Sequence, residues 1–586
     1  MIGTKMQRRR FISSVSALGV ASIAGAALAQ SRGGDRVTGG QFASRSTVWG
    51  VEGAAATAHP IATLIGIEIL KQGGSAIDAA IAINAALGFL EPIACGIGGD
   101  AYCIVNDPIS GEILGFNGSG RSPSGMSLEY VRSRAVNGHI PAYGVLPVSI
   151  PGAVDAWGKL HARWGKLAFS DVLAPAIALA ERGAPVTQNV AHYMAASARR
   201  FTNPASNIEE TANFLRTYTK EGRTPREGEL FRNPDLAKTY RHIAENGARA
   251  FYEGEVATTI ENYFKRIGGF VTKADLTRHQ GEFVRPIHTN YRGIEVYGLG
   301  ENTQGLSTLQ MLNILENFDI KEMGFQSIQS IHTQVEAKRL AFEDRAKFFA
   351  DPAYAQIPIS HLLSKSYARE LASRIRPDAI LPRITPYEAP TRGDTTYFTV
   401  ADKNGMMVSF IQSNYRGMGS GLVADGLGFM FQDRGELFSL RDSSPNIYAP
   451  NKRPFHTIIP GFAMKNGAPW LSFGVMGGDM QPQGQAQIIV NLREYELGLQ
   501  EAGDAPRWHH EGSSEPTGEM AEGMGLLRLE NGVPQVTKAG LAALGWQIGT
   551  SDGGFGGYQA IMRPNHNENI YAAASEMRKD GLALAY

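Results

Sequence analysis

The chain has 586 residues, and its 56 Lys plus Arg equal its 56 Asp plus Glu, so the formal net charge is zero. Charged residues make up only 19% of it, which leaves no basic field to attract nucleic acid or an anionic membrane. Two cysteines exclude a disulfide framework, and 68 glycines are dispersed rather than periodic, which excludes collagen-like or linker chains.

The chain opens with Arg8-Arg9-Arg10-Phe11-Ile12, a short apolar run from Val15 to Leu28, and Ala27-Leu28-Ala29. Basic region, apolar region and Ala-x-Ala site are the parts of an export signal, and paired arginines before Phe-Ile read as a twin-arginine signal over 1–29. A periplasmic or secreted protein follows from that reading; a cytoplasmic protein with a basic N-terminus is the alternative. The run is too short for a permanent span, and no other window holds eighteen uninterrupted apolar residues, so no membrane span is expected in the mature protein. Cys95 and Cys103 could pair, but buried free thiols are expected, because twin-arginine substrates fold in the reducing cytoplasm.

Ile61 to Leu70 reads as a buried helix stopped by Gly73-Gly74. Ser75 is the N-cap of a second helix, Ala76 to Leu90, apolar all round and therefore destined for the core. Gly96-Ile97-Gly98-Gly99 turns into a strand from Ala101 to Val105. The stretch Pro151 to Phe349 reads as amphipathic helices joined by short loops, clearest at Ser307–Leu315 and Ile328–Phe349. Arg376 to Gly393 carries four prolines and little periodicity, so it is expected to be an exposed connector. Strands follow near 396–401, 406–413, 428–432, 457–464 and 470–475, then a helix near 484–498. Two sheets between helix layers fit this order. His509 and His510 are adjacent and point apart, and no Cys/His cluster has zinc spacing, so neither metal nor cofactor is expected.

The run Gly393-Asp394-Thr395-Thr396-Tyr397-Phe398-Thr399-Val400 carries the chemistry. A threonine hydroxyl is a poor nucleophile without a base beside it. Cutting the backbone before the threonine supplies one, its own α-amine. The plainer reading is an edge strand with two threonines, since Thr favours strands.

With Gly417-Met418-Gly419-Ser420-Gly421 downstream, this run resembles the start of the small subunit of γ-glutamyltransferases, which are self-cleaving N-terminal-nucleophile hydrolases. Thr57-Ala58-His59-Pro60, Gly73 to Ala80 and Gly96 to Gly99 resemble the large subunit's opening, and Lys452-Arg453-Pro454, Gly477-Gly478 and Ala505-Pro506-Arg507 resemble pieces of the small one. The resemblance implies an α+β fold, a four-layer αββα sandwich, built from a large chain (30–394) and a small chain (395–586) that form one folded unit. It implies that Thr395 is the nucleophile, first against the Asp394 carbonyl and then against a small-molecule amide. Ser413 takes the place of the second hydroxyl, and Gly477 and Gly478 match the oxyanion pair.

The donor clamp departs from the family. Ser119 stands where an arginine grips the donor carboxylate, with Arg121 two residues on. Tyr415 replaces an Asn and is followed by Arg416. In Gln432-Asp433-Arg434-Gly435-Glu436-Leu437-Phe438, Leu437 replaces the Asp that pairs with the donor α-ammonium. His456-Thr457 replace a Ser pair. Without that carboxylate an α-ammonium has no partner, whereas Arg121, Arg416 and Arg434 suit a carboxylate. Each arginine could instead face solvent or pair with Asp433 or Glu436. The expected activity is cleavage of amides of an acidic acyl group without an α-amine, as in the family's oxamate amidohydrolase and cephalosporin acylase branches. True γ-glutamyl transfer or glutathione hydrolysis, with a rebuilt clamp, is the alternative enzyme. A non-catalytic exported binding protein is the alternative from another class.

Overall fold

A computed structural model describes residues 43–300, 302–382, 394–521, 523–550 and 553–586. The export segment, and residues 383–393 of the Pro-rich connector, lie outside them.

Two seven-stranded antiparallel sheets lie face to face. The first runs Val48–Gly50, Tyr571–Ser575, Tyr558–Met562, Ala468–Val475, Gly461–Lys465, Ile294–Gly298, Ile287–Tyr291. The second runs Leu582–Ala585, Gly53–Thr57, Asp394–Asp402, Met407–Tyr415, Asp100–Asn106, Ile113–Asn117, Glu282–Val284. Successive side chains of a strand point to opposite faces, so each sheet supplies two apolar surfaces. Tyr102, Ile104, Tyr397, Ile411, Phe462 and Ile561 fill the layer between the sheets. Cys103, Val105, Phe398, Val400 and Phe410 point the other way, beneath the helices Pro60–Lys71 and Ala76–Leu90. On the far side, Val296, Leu471, Phe473 and Ala560 pack under Gly305–Leu315, Ile328–Phe348 and Met480–Arg493. The architecture is the four-layer αββα sandwich.

Local chemistry explains the boundaries. Ser75 and Asp78 form a capping box in which each side chain accepts the other's N–H, and all fifteen residues of Ala76–Leu90 are buried. Both cysteines are buried thiols outside any disulfide, and burial pushes the Cys103 thiol far above its ordinary range.

Three expectations need correction. The stretch 151–349 is not helical throughout: three strands lie between Glu282 and Gly298, two of them joined through Arg292 (φ +50°) and Gly293 (φ +82°), a turn that matches sheet twist. The apolar run at 428–432 is a buried loop, because Gly426 and Gly428 adopt positive φ and leave only the bridge from Val423 to Met430. The helix expected near 484–498 spans Met480–Arg493, starting directly after the glycine pair.

Candidate active site

The strands Asp394–Asp402 and Met407–Tyr415 form a hairpin at the centre of the second sheet. Their register slips at one point: Asp394 pairs with Tyr415 and Thr396 with Gln412, so Ser413 and Asn414 together oppose Thr395. Such a bulge re-aims side chains. It brings the Thr395 Oγ–H to the Ser413 Oγ at 3.3 Å, and the same oxygen accepts the Tyr415 N–H at 2.8 Å. Tyr415 holds φ +80°, an uncommon conformation for a bulky residue.

The facing sheet supplies the glycine pair. Thr399 and Ser472 share a hydrogen bond at 2.7 Å across the layer, and a Cβ on Gly474 would meet the Tyr397 ring at 2.4 Å. Thr395 and Met476, the residue before the glycine pair, are next in these two-residue steps. Gly477 (φ +107°) and Gly478 (φ +56°) turn the chain into the helix Met480–Arg493. Their carbonyls accept from Met480 and Gln481 at 3.0 and 3.2 Å. Among the described residues no protein group accepts their own N–H groups. Two unengaged amides before a helix N-terminus suit an anion or an oxyanion. Gln304 fixes the turn by donating to the Thr457 carbonyl (2.6 Å) and the Gly478 carbonyl (2.9 Å); Arg345 in turn donates to Gln304 and to Asp479, both at 2.7 Å.

A cavity of about 300 Å³ opens onto Gly477 and Gly478, with Tyr415, Arg416, Leu437 and Thr457 also on its wall. Thr395 and Ser413 are buried and do not themselves line it in the uncut chain. Arg416 forks onto Glu436, with Nη2 to Oε1 at 2.6 Å, so its charge is already balanced. Leu437 adds an apolar side chain.

Three of the residues expected at the substrate are elsewhere. Arg434 is fully buried behind Tyr415, 4.6 Å from its ring, and donates to Thr457 Oγ at 2.6 Å. Its Nε and Nη2 have no hydrogen-bond partner among the described residues, and burial lowers its pKa to about 10. Arg121 lines a different cavity, paired with Asp351 (3.2 Å) and Glu282 (3.5 Å). His456 is wholly buried against Tyr102, and its Nε2–H meets Asp100 at 2.9 Å; burial, then Arg434, keep the imidazole neutral. The long arginines reach inward or sideways because carboxylates and an aromatic ring there satisfy them.

Other cavity residues escaped the sequence reading. Asp479 and Glu515 hydrogen-bond each other beside Arg345. Burial opposes ionisation of both, but Arg345 holds Asp479 below its ordinary value, whereas Glu515 is raised well above its own. Lys338 joins them from Ile328–Phe348. Buried cations on a helix with no polar face were the available signal. His509 and His510 also reach the cavity; His510 Nε2–H donates to the Met524 carbonyl at 2.7 Å.

Relatives match most of the chain. A glutathione hydrolase-like proenzyme, YwrD of Bacillus subtilis, is 37% identical across 79% of this chain and 86% of its own length. The oxamate amidohydrolase proenzyme of Klebsiella pneumoniae is 32% identical across 91% of this chain and 98% of its own. The crystal structure of cephalosporin acylase from Bacillus halodurans superposes with a TM-score of 0.84 at 39% identity, covering 93% of this chain and 98% of that one. The profile described as Gamma-glutamyltranspeptidase matches residues 62–586. A chain that matches that profile over most of its length, on an αββα sandwich, belongs to the gamma-glutamyltranspeptidase family.

Proposed function

We propose that this protein is a self-processing threonine amidohydrolase that cleaves amides of an acidic acyl group without an α-amine. The observation that carries the chemistry is the Thr395–Ser413 hydroxyl pair, with two glycines just past the facing strand Ala468–Val475 whose N–H groups no described protein group engages. In the precursor, the Thr395 hydroxyl adds to the Asp394 carbonyl. The C–N bond breaks, an ester forms at Thr395 Oγ, and water hydrolyses it. This leaves an Asp394 carboxylate and a free Thr395 amine. That amine then takes the Oγ proton as the oxygen attacks a substrate amide, while the Gly477 and Gly478 N–H groups receive the oxyanion. The amine leaving group departs with the proton, and water releases the acid.

Acyl preference follows from the cavity wall. Leu437 offers no carboxylate to an α-ammonium, and carboxylates elsewhere on the wall are engaged: Glu436 by Arg416, Asp479 and Glu515 by Arg345, and Glu511 by Arg528. The relatives named oxamate amidohydrolase and cephalosporin acylase support an acyl group of this kind. The purified protein should run as two chains, the smaller beginning at Thr395, and Thr395→Ala should stay whole and inactive. An active protein that is never cut would overturn the mechanism. Residues 1–29 are assigned to twin-arginine export; fusion of residues 1–35 to a folded reporter tests this, and export without that translocase would refute it.

A further inference from the structure

We infer that Lys338, together with Ser513, is the specificity-determining site for the carboxylate of the acyl group, in place of the arginines that the sequence brings forward. The inference rests on the amidohydrolase reading above and adds the residues that read the acid.

Lys338 is 1% exposed and sits on the wall of the cavity that holds Gly477 and Gly478. Its ammonium lies 3.9 Å from the Phe342 ring centre, and Arg345 lies 3.8 Å from the same ring. The two cations differ in what balances them. Arg345 is paired with Asp479 at 2.7 Å and Glu515 at 2.5 Å. Among the described residues the hydrogen bonds of Lys338 go to neutral groups: Ser513 Oγ at 2.7 Å, the His510 carbonyl at 3.1 Å and His510 Nδ1 at 3.2 Å. The other charged groups that act on it are Arg339 on its own helix, Asp479 on the oxyanion turn and Glu515 on the 508–519 segment. Of these, Asp479 and Glu515 are both engaged by Arg345.

A buried cation without a counter-ion is costly, and a carboxylate that enters the cavity relieves that cost. It can replace one of the two longer contacts to His510 and accept the Ser513 hydroxyl proton as well. Arg416 on the same wall has no such need, because Glu436 already balances it. Glutaryl and oxalyl chains set the acid at different distances from the scissile carbonyl, so the pair reads how far from Gly477 and Gly478 the ammonium acts.

The test compares glutaryl anilide, valeryl anilide, oxalyl anilide and valeryl 4-aminobenzoate on processed wild type, Lys338→Met and Lys338→Arg. For wild type, kcat/KM should favour glutaryl over valeryl. In Lys338→Met the glutaryl-to-valeryl ratio should fall roughly tenfold to a hundredfold, the range expected for one charge-assisted contact, chiefly through KM. Lys338→Arg should restore part of it. If wild type favours glutaryl and Lys338→Met keeps the ratio, the acid is read elsewhere and the inference fails while the acyl preference stands. If Lys338→Met alters only the aminobenzoate, the lysine reads the leaving group and the assignment to the acyl side fails. If wild type shows no preference for the acid, both the inference and the proposed acyl preference fall.

Discussion

Ser413→Ala removes an oxygen that meets the Thr395 hydroxyl at 3.3 Å and the Tyr415 N–H at 2.8 Å. The two losses are separable. An N–H left without its acceptor in a buried bulge costs about 1–3 kcal/mol of stability. The nucleophile loses a partner whose worth rises as charge shifts through its oxygen, from about 0.5–1.5 kcal/mol for a neutral bond to about 3 kcal/mol for a charge-assisted one. At about 1.4 kcal/mol per tenfold, kcat should fall by roughly tenfold to a hundredfold, with KM little changed. The assay is steady-state kinetics on material already cut at Thr395, beside the thermal midpoint and the rate of self-cleavage. A cut Ser413→Ala protein with wild-type kcat would refute the catalytic part of the argument. A lowered midpoint with intact kcat would leave Ser413 as a residue of the bulge alone.

Leu437→Asp should raise kcat/KM for a γ-glutamyl anilide relative to its des-amino glutaryl counterpart, because it places a carboxylate on the cavity wall; an unchanged ratio would show that the α-amine does not reach that wall. Arg434→Met should lower the thermal midpoint and slow acidic and neutral amides alike, since it supports Tyr415 and Thr457 from behind; a selective loss on acidic amides would show that it meets the substrate. Burial lowers the Lys338 pKa from 10.5 to about 7, so the lysine is charged below that value and neutral above it. The glutaryl-to-valeryl ratio of kcat/KM should therefore fall as pH rises through about 7 and beyond, the midpoint moving upward if the bound carboxylate stabilises the cation. Titration of the Thr395 amine affects both substrates and cancels in the ratio; a flat ratio would contradict the assignment.

Elements with strong local signals were legible in the sequence. Ser75 and Asp78 fixed one helix start, and all-round apolarity placed Ala76–Leu90 in the core. Thr395 was recognisable by family resemblance, and the structure adds what no linear pattern contains, the bulge that sets two residues against it. The partners of the arginines were not legible, because sequence shows a charge but not the direction of a long side chain. Pairing of Arg416 with Glu436 was one open alternative, and pairing of Arg121 with Asp351, 230 residues away, exists only after folding. Lys338 gave no linear signal at all: it is a charge on a long helix, and the packing of the 508–519 segment encloses it.

The sheet order has a consequence for the cut protein. The Thr395 strand lies between Gly53–Thr57, from before the cleavage point, and Met407–Tyr415, from after it, and both seven-stranded sheets interleave strands from the two sides. Cleavage before Thr395, as proposed, would therefore create a chain end without creating a separable piece. It would also change the order of the folding reaction. The uncut chain folds as one molecule, whereas the cut protein, once unfolded, would have to find its other half in solution. Its thermal midpoint should depend on protein concentration where that of uncut Thr395→Ala does not. Processing thus acts as a ratchet, one that leaves the folded state dependent on having been assembled before the cut.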